Sequence, residues 1–132
     1  MTAKQGFASL AERIDAVEEA YEFCLAYAAQ GRRGDESGAG SEIHRFLARA
    51  LAALDGLADA AGANSPGDSA VLAFLEVLRG DVAKASAAIR LVLAQDAISS
   101  QLIDNLNASI HLRALLTDLF LIDESLKSGR GA

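Results

Sequence analysis

Apolar residues recur along most of the chain at alternating spacings of three and four, the pattern of a helix with one buried face. Three successive series keep this alternation and predict three amphipathic helices. They are Leu10, Ile14, Val17, Tyr21, Cys24 and Ala28, then Ile43, Leu47, Ala50, Leu54, Leu57 and Ala61, and finally Val71, Leu75, Leu78, Val82, Ala85, Ile89 and Val92.

Capping residues predict where these helices begin. Ser9 and Glu12 have the spacing of a capping box, and Ser41 is an N-cap residue for the second helix. Ser65 followed by Pro66 is a typical start for the third, which we expect to continue through Gly80. With a fourth apolar segment included, the predicted helices span about 9–30, 41–61, 66–96 and 101–127, with a mobile loop at 31–40 and a frayed tail at 128–132.

The pattern predicts one domain over residues 1–132, an all-α, antiparallel up-and-down four-helix bundle with long third and fourth helices. Alanine and leucine dominate the composition, and both favour helices. The seven-residue repeat of the first three series is the repeat of left-handed helix packing, which four-helix bundles use.

Charge and hydropathy limit the partners. The 132 residues include 12 Lys and Arg against 18 Asp and Glu, for a net charge of -6. Binding to nucleic acid or to an anionic membrane needs clustered cations, so we expect neither. The longest stretch without a charged residue is far shorter than the roughly 20 apolar residues of a membrane span. We expect a cytoplasmic protein in which the single cysteine, Cys24, is a core residue.

Residues that carry chemistry are few. Di-iron bundles need Glu-x-x-His on two helices, whereas Ser41 precedes His44 and Ala108 precedes His111 at that spacing. Two His and one Cys are too few for a zinc site, and the glycine-rich segment 34–40 contains no lysine of a phosphate-binding loop. The acidic face of the first helix (Asp15, Glu18, Glu19, Glu22) is typical of a solvated surface. We therefore expect no catalytic residue, no metal and no cofactor.

A helical histidine in a small bundle can accept a phosphoryl group from a response-regulator domain. The segment His44–Arg49 resembles the phosphoacceptor segment of the histidine phosphotransfer family, but lacks the family's Lys-Gly pair after the His. Residues Ser109–Arg113, around His111, resemble the phosphorylation box of histidine kinases and lack its acidic residue. These resemblances imply a signalling relay that uses His44 or His111 as the alternative function.

The fourth predicted helix is apolar on nearly every side, which indicates a contact beyond its own bundle. The simplest such contact is a two-fold homodimer through one of two faces of this helix. One candidate face consists of Ile103, Ile110 and Leu121, and the other of Leu112, Leu119 and Leu126.

Four polar residues on the same helix, Asp104, Asn107, His111 and Asp118, fall within about 60° of one another on a helical wheel. This polar column would face water, fix the register of a dimer, or bind a small polar ligand. We therefore expect a non-enzymatic bundle that acts through protein–protein association, as a regulatory, adaptor or assembly factor. It would be a homodimer with a further protein partner.

Overall fold

The computed structural model describes residues 7–34, 39–63 and 67–131, which form six α-helices and no strand. The all-α prediction is confirmed, but six helices stand where the sequence predicts four. The helices are α1 (Leu10–Ala28), α2 (Ala39–Leu54), α3 (Leu57–Gly62), α4 (Ser69–Leu93), α5 (Ser100–Ala108) and α6 (His111–Gly131). Helix α1 contacts α2, α3, α5 and α6, while α4 contacts α2, α3, α5 and α6 from another side.

Helix α1 begins with the predicted cap. Ser9 Oγ accepts a hydrogen bond from the N–H of Glu12, and Glu12 Oε1 accepts one from the N–H of Ala8 at 2.7 Å. One free N–H group of the first turn, that of Glu12, is thereby satisfied. The predicted stripe is buried at Ile14, Val17 and Cys24. It anchors α1 to most of the other helices.

The second predicted helix is divided at Gly56, which has a φ of 80°. Such left-handed backbone suits glycine because it has no Cβ, and Asp-Gly is a common turn dipeptide. The guanidinium of Arg13 stabilises the break, since its Nη1 donates to the carbonyls of Ala53 at 2.8 Å and Asp55 at 2.7 Å. The prediction of one helix over 41–61 is wrong. Helix α2 also begins at Ala39, so Ser41 is not its N-cap.

Helix α4 is continuous through Gly80, as the sequence predicts. Its N-cap is Asp68, whose side chain accepts a hydrogen bond from the N–H of Ala70 at 2.7 Å. The predicted start at 66 is therefore three residues early. Ser65 and Pro66 lie outside the described residues.

The fourth predicted helix is also divided, between α5 and α6. Ile110 has a φ of 58°, in the left-handed region, and the N–H of Ser109 turns back to the carbonyls of Asn105 and Leu106. A new helix starts at His111 and extends to Gly131, past the predicted end at Lys127. The prediction of one helix over 101–127 is wrong, because α5 and α6 are separate helices.

Residues 31–34 do not form the free loop that their composition predicts. The N–H of Arg32 donates to Ser100 Oγ at 2.8 Å, and the N–H of Ser100 donates to the carbonyl of Arg32 at 2.8 Å. Gly34, with a φ of 95°, lies so close to Ile98 that an added Cβ would be 2.8 Å from its backbone. This segment is packed on the start of α5. Residues 35–38 of the predicted loop lie outside the described residues.

Candidate docking groove between helices α1 and α6

The helix break divides the predicted polar column between α5 and α6. Asp104 on α5 is exposed, and Asn107 Nδ2 on the same helix donates to the carbonyl of Cys24 at 3.2 Å. His111 is the first residue of α6, and Asp118 lies farther along α6 against Asp81 of α4. The prediction used a helical wheel drawn for one continuous helix, whereas the four residues belong to two helices.

Asp118 and Asp81 form a pair of carboxyl groups between α6 and α4. Burial, a hydrogen bond with Asp81 and charge repulsion from Asp81, in that order of size, together raise the pKa of Asp118 from 3.8 to about 7. Beside burial, the close approach of Asp81 favours a protonated Asp118, because two carboxylates at close range repel each other. Asp118 Oδ2 is buried and makes no hydrogen bond within the described structure.

Most residues of the two predicted dimer faces are buried inside the chain itself. Leu112, Leu119 and Leu126 all belong to the core of the monomer, as does Ile103. Leu112, Leu119 and Leu126 therefore have little surface left for contact with a second copy. Ile110 and Leu121 remain more than half exposed. The apparent apolar surplus arose because α5 and α6 bury different angular faces of what looked like one helix.

The two histidines and the cysteine have different environments. His44 is exposed on α2, whereas His111 is half-buried at the start of α6. Cys24 is fully buried, and burial raises the pKa of its thiol to about 12. The thiolate form is therefore negligible at neutral pH, so Cys24 is a core residue and a poor nucleophile.

A cleft of about 290 Å³ lies between α1 and α6. Leu116 is buried beneath it, and the side chains of Leu25 and Phe120 are each 48% exposed along it. The remaining lining residues are Glu18, Tyr21, Glu22, Arg113 and Thr117. We call this cleft the α1–α6 groove. A large leucine and a phenylalanine that both expose half of their surface beside one cleft are typical of a contact site rather than of isolated surface residues.

Charge is distributed unevenly around the groove. Its α1 side carries Glu18 and Glu22, one turn apart, and its α6 side carries Arg113. Within the described part of the chain, none of these three residues belongs to an ion pair. Asp15 and Glu19 extend the acidic surface along α1. The groove therefore combines an apolar base with one acidic wall whose charges are not neutralised internally.

A second cleft, of about 430 Å³, lies between α1 and α2 and is lined by Glu19, Arg45, Phe46 and Arg49. Its charges already have partners: Arg49 Nη1 lies 3.1 Å from Glu19 Oε1, and the same guanidinium lies over the ring of Phe7. Phe46 stacks on Phe23 with ring centroids 4.4 Å apart. These internal contacts explain the cleft as packing between two helices, so the α1–α6 groove is the better candidate site.

The sequence pattern did not reveal the groove. The acidic residues of α1 were visible, but only the packing of α6 places Phe120 and Leu116 beside them. The available signal was Leu25, an apolar residue outside the buried stripe of α1 and one turn after Glu22. It pointed to a second apolar contact on the acidic side of this helix.

Comparison of the chain with protein-family models, with curated proteins and with solved structures found no match. Across residues 7–34, 39–63 and 67–131, no three His, Cys, Asp or Glu side chains converge as metal ligands would. None of the described helices is both long and apolar enough to cross a bilayer.

Proposed function

We propose that this protein acts by protein–protein association, without catalysing a reaction, and that the α1–α6 groove binds an amphipathic helix of a partner protein. The observation that carries the proposal is the unpaired acidic wall, Glu18 and Glu22, beside the exposed side chains of Leu25 and Phe120. An amphipathic helix with apolar anchors and a basic flank complements both features.

The size of the groove supports a helix with a small number of anchors. A volume of about 290 Å³ holds two or three large side chains rather than a whole drug-sized ligand. Such anchors are the i, i+3 and i+4 residues that a helix presents on one face. Glu18 and Glu22 then lie beside the docked helix, where lysine or arginine residues of the partner would neutralise them. This arrangement fits a regulatory, adaptor or assembly factor, which we place in the cytoplasm because Cys24 is a free, buried thiol.

Two designed peptides test the proposal. Both are amphipathic helices of about five turns with the same leucine stripe, one flanked by lysines and the other by glutamates. Titration followed by fluorescence anisotropy should show binding of the lysine-flanked peptide and at least tenfold weaker binding of the glutamate-flanked one. Equal affinity for both peptides, or none for either, contradicts the proposal.

Variants of the groove locate the binding. Phe120→Asp should abolish binding, because it places a charge on the apolar wall. The double variant Glu18→Lys with Glu22→Lys should reverse the preference between the two peptides. Leu72→Asp is the matched control, since Leu72 is exposed to 51% on α4, outside the groove. The control variant should bind the lysine-flanked peptide with the affinity of the wild type. Loss of binding in the control with retention in Phe120→Asp would place the site elsewhere.

The histidine phosphotransfer alternative has one observation in its favour, the exposed imidazole of His44 on the surface of α2. A receiver domain needs such access to transfer its phosphoryl group. Incubation with a receiver domain charged by acetyl phosphate, followed by a search for acid-labile label, tests this function. Label that is lost in His44→Gln but retained in His111→Gln would favour a relay over association.

A further inference from the structure

Helix α4 carries a second heptad pattern on the side opposite its buried face. Six residues follow one another at spacings of four, three, four, three and four: Ala73, Val77, Gly80, Lys84, Ala87 and Leu91. All six are exposed. We call this set the outer stripe of α4. A heptad alternation is the pattern by which one helix packs against another, and within the described chain nothing covers this one.

Gly80 gives an independent reason to expect a helix against the outer stripe. Glycine within a helix costs about 1 kcal/mol relative to alanine, so a structural reason for it is normally close contact. An added Cβ at Gly80 would meet no atom within 4 Å, and the φ of Gly80 is not in the left-handed region. The chain's own fold therefore does not require glycine there. Close approach of a second helix would give glycine a structural role at this position.

We propose that the outer stripe is a self-association surface, on which α4 of a second copy packs antiparallel. In one register every layer pairs a larger residue with a small one. Leu91 lies over the partner's Ala73, Val77 over the partner's Ala87, and Lys84 over the partner's Gly80. The aliphatic stem of lysine fills the space left by a missing side chain, while its ammonium group reaches the rim.

Charge selects this register. Glu76 and Arg90 flank the outer stripe on the same side, two heptads apart, and both are exposed. In the antiparallel register described, Glu76 lies beside the partner's Arg90, and the two-fold axis repeats the pair. Shifting the helices by one heptad leaves both residues without an opposite charge. Within the described structure Arg90 has no ion-pair partner, and Glu76 contacts only Arg79, at 3.7 Å. At the opposite edge, Asp81 is turned towards Asp118.

A contact through one helix per copy is at the small end of stable interfaces, so we expect a dissociation constant on the order of micromolar or weaker. Light scattering or sedimentation from micromolar to near-millimolar concentration should show a reversible monomer–dimer equilibrium. A wild-type chain that stays monomeric over this range overturns the proposal.

Exchange of the two charges tests the register. Arg90→Glu and Glu76→Arg should each weaken the dimer by at least about tenfold, because each places like charges together twice. The double variant should restore wild-type affinity. Arg45→Glu, the same charge change on the exposed surface of α2, should leave the dissociation constant unchanged. Single variants that dimerise like the wild type, or a double variant that does not recover, contradict this pairing.

Cross-linking tests the direction of the helices. Ala83 is exposed and lies next to its own copy in the proposed register, whereas the two copies of Ala73 lie about 27 Å apart. Under mild oxidation Ala83→Cys should give a covalent dimer and Ala73→Cys should not; the native Cys24 is buried and stays out of the reaction. A parallel pair of helices would give the reverse result and overturn the proposal. The outer stripe is separate from the α1–α6 groove, so either proposal can fail alone.

Discussion

Ser100 binds the main chain of Arg32 from both directions. Its hydroxyl oxygen accepts the N–H of Arg32 at 2.8 Å, and its own N–H donates to the Arg32 carbonyl at 2.8 Å. The same hydroxyl donates to the carbonyl of Tyr27 at 2.6 Å, in the last turn of α1. One buried serine at the start of α5 therefore satisfies polar groups of the last turn of α1 and of the segment that follows it.

Ser100→Ala should destabilise the protein by about 1–3 kcal/mol, because it leaves the Arg32 N–H without its partner in a partly buried setting and removes one of the hydrogen bonds that the Tyr27 carbonyl accepts. Urea unfolding followed by circular dichroism measures the change. Ser125→Ala is the control, since the Ser125 hydroxyl donates only to the carbonyl of Leu121 on an exposed face. It should change the free energy of unfolding by less than about 0.5 kcal/mol. Equal effects for the two variants would contradict the role given to Ser100.

Stability should fall as pH rises towards neutrality, through Asp118. Its pKa is 3.8 ordinarily and about 7 in the fold. The folded chain thus holds a proton that the unfolded chain has lost over this interval. Stability contributed by the protonated pair is fully present below about pH 4 and is lost as pH passes through 7.

Asp118→Asn should therefore raise Tm by roughly 2–4 °C at about pH 8 and leave it nearly unchanged at about pH 4. The slope of stability against pH between these values should also flatten. Asp104→Asn removes an exposed carboxylate from the neighbouring helix and should alter neither. Thermal unfolding at a series of pH values measures both variants. An unchanged slope in Asp118→Asn would mean that another group causes the pH dependence.

Cys24 should resist thiol reagents in the folded protein and react fully after unfolding. The side chain is inaccessible, and its thiol pKa of about 12 leaves almost no thiolate. A disulfide reagent that releases a coloured thiol gives both rates. Ala26→Cys places a second thiol on the exposed side of the same helix and should react at once with one equivalent. Rapid labelling of the wild type would show that α1 opens readily.

Gly34→Ala should destabilise the fold by more than about 2 kcal/mol. The new Cβ would lie 2.8 Å from backbone atoms of Ile98, and the φ of 95° is strained for alanine. Gly31→Ala provides the comparison, since Gly31 also has a positive φ but nothing within 4 Å. Its cost should be limited to the backbone strain, about 1 kcal/mol. Similar values for both variants, measured by urea unfolding, would show that the contact with Ile98 is not rigid.

Local signals identified helices but not every interruption. The alternation of apolar residues located α1 and α4 and carried the pattern through Gly80, because a single buried face imposes that spacing. The break at Gly56 had a signal, the Asp55-Gly56 dipeptide, which the apolar pattern on both sides overrode. The break at Ile110 had no such signal. Neither glycine nor proline lies near it, and a β-branched residue seldom adopts a positive φ. Tertiary packing of α5 and α6 selects that conformation.

The difference between local signals and tertiary packing also explains which sites could be predicted from the sequence. The polar column and the dimer faces were both predicted from a helical wheel drawn for one continuous helix. The unrecognised break at Ile110 therefore affected both predictions. The outer stripe of α4 was readable in the sequence, since it needs only one continuous helix. The α1–α6 groove was not, because Leu25 and Phe120 are far apart in the chain and meet only in the fold.

The contacts of α1 with the start of α5 also bear on how the chain folds. The hydrogen bonds between α5 and the end of α1 with the segment that follows it join residues 68 to 83 positions apart. Examples are Arg32 with Ser100 and Cys24 with Asn107. Helical proteins with mainly local contacts fold fastest, and closing long loops slows the search. During synthesis α1 emerges before α5. The polar groups in the last turn of α1 can therefore form these hydrogen bonds only after α5 has been made. We therefore expect the order of synthesis and the order of consolidation to differ, with α1 completed late.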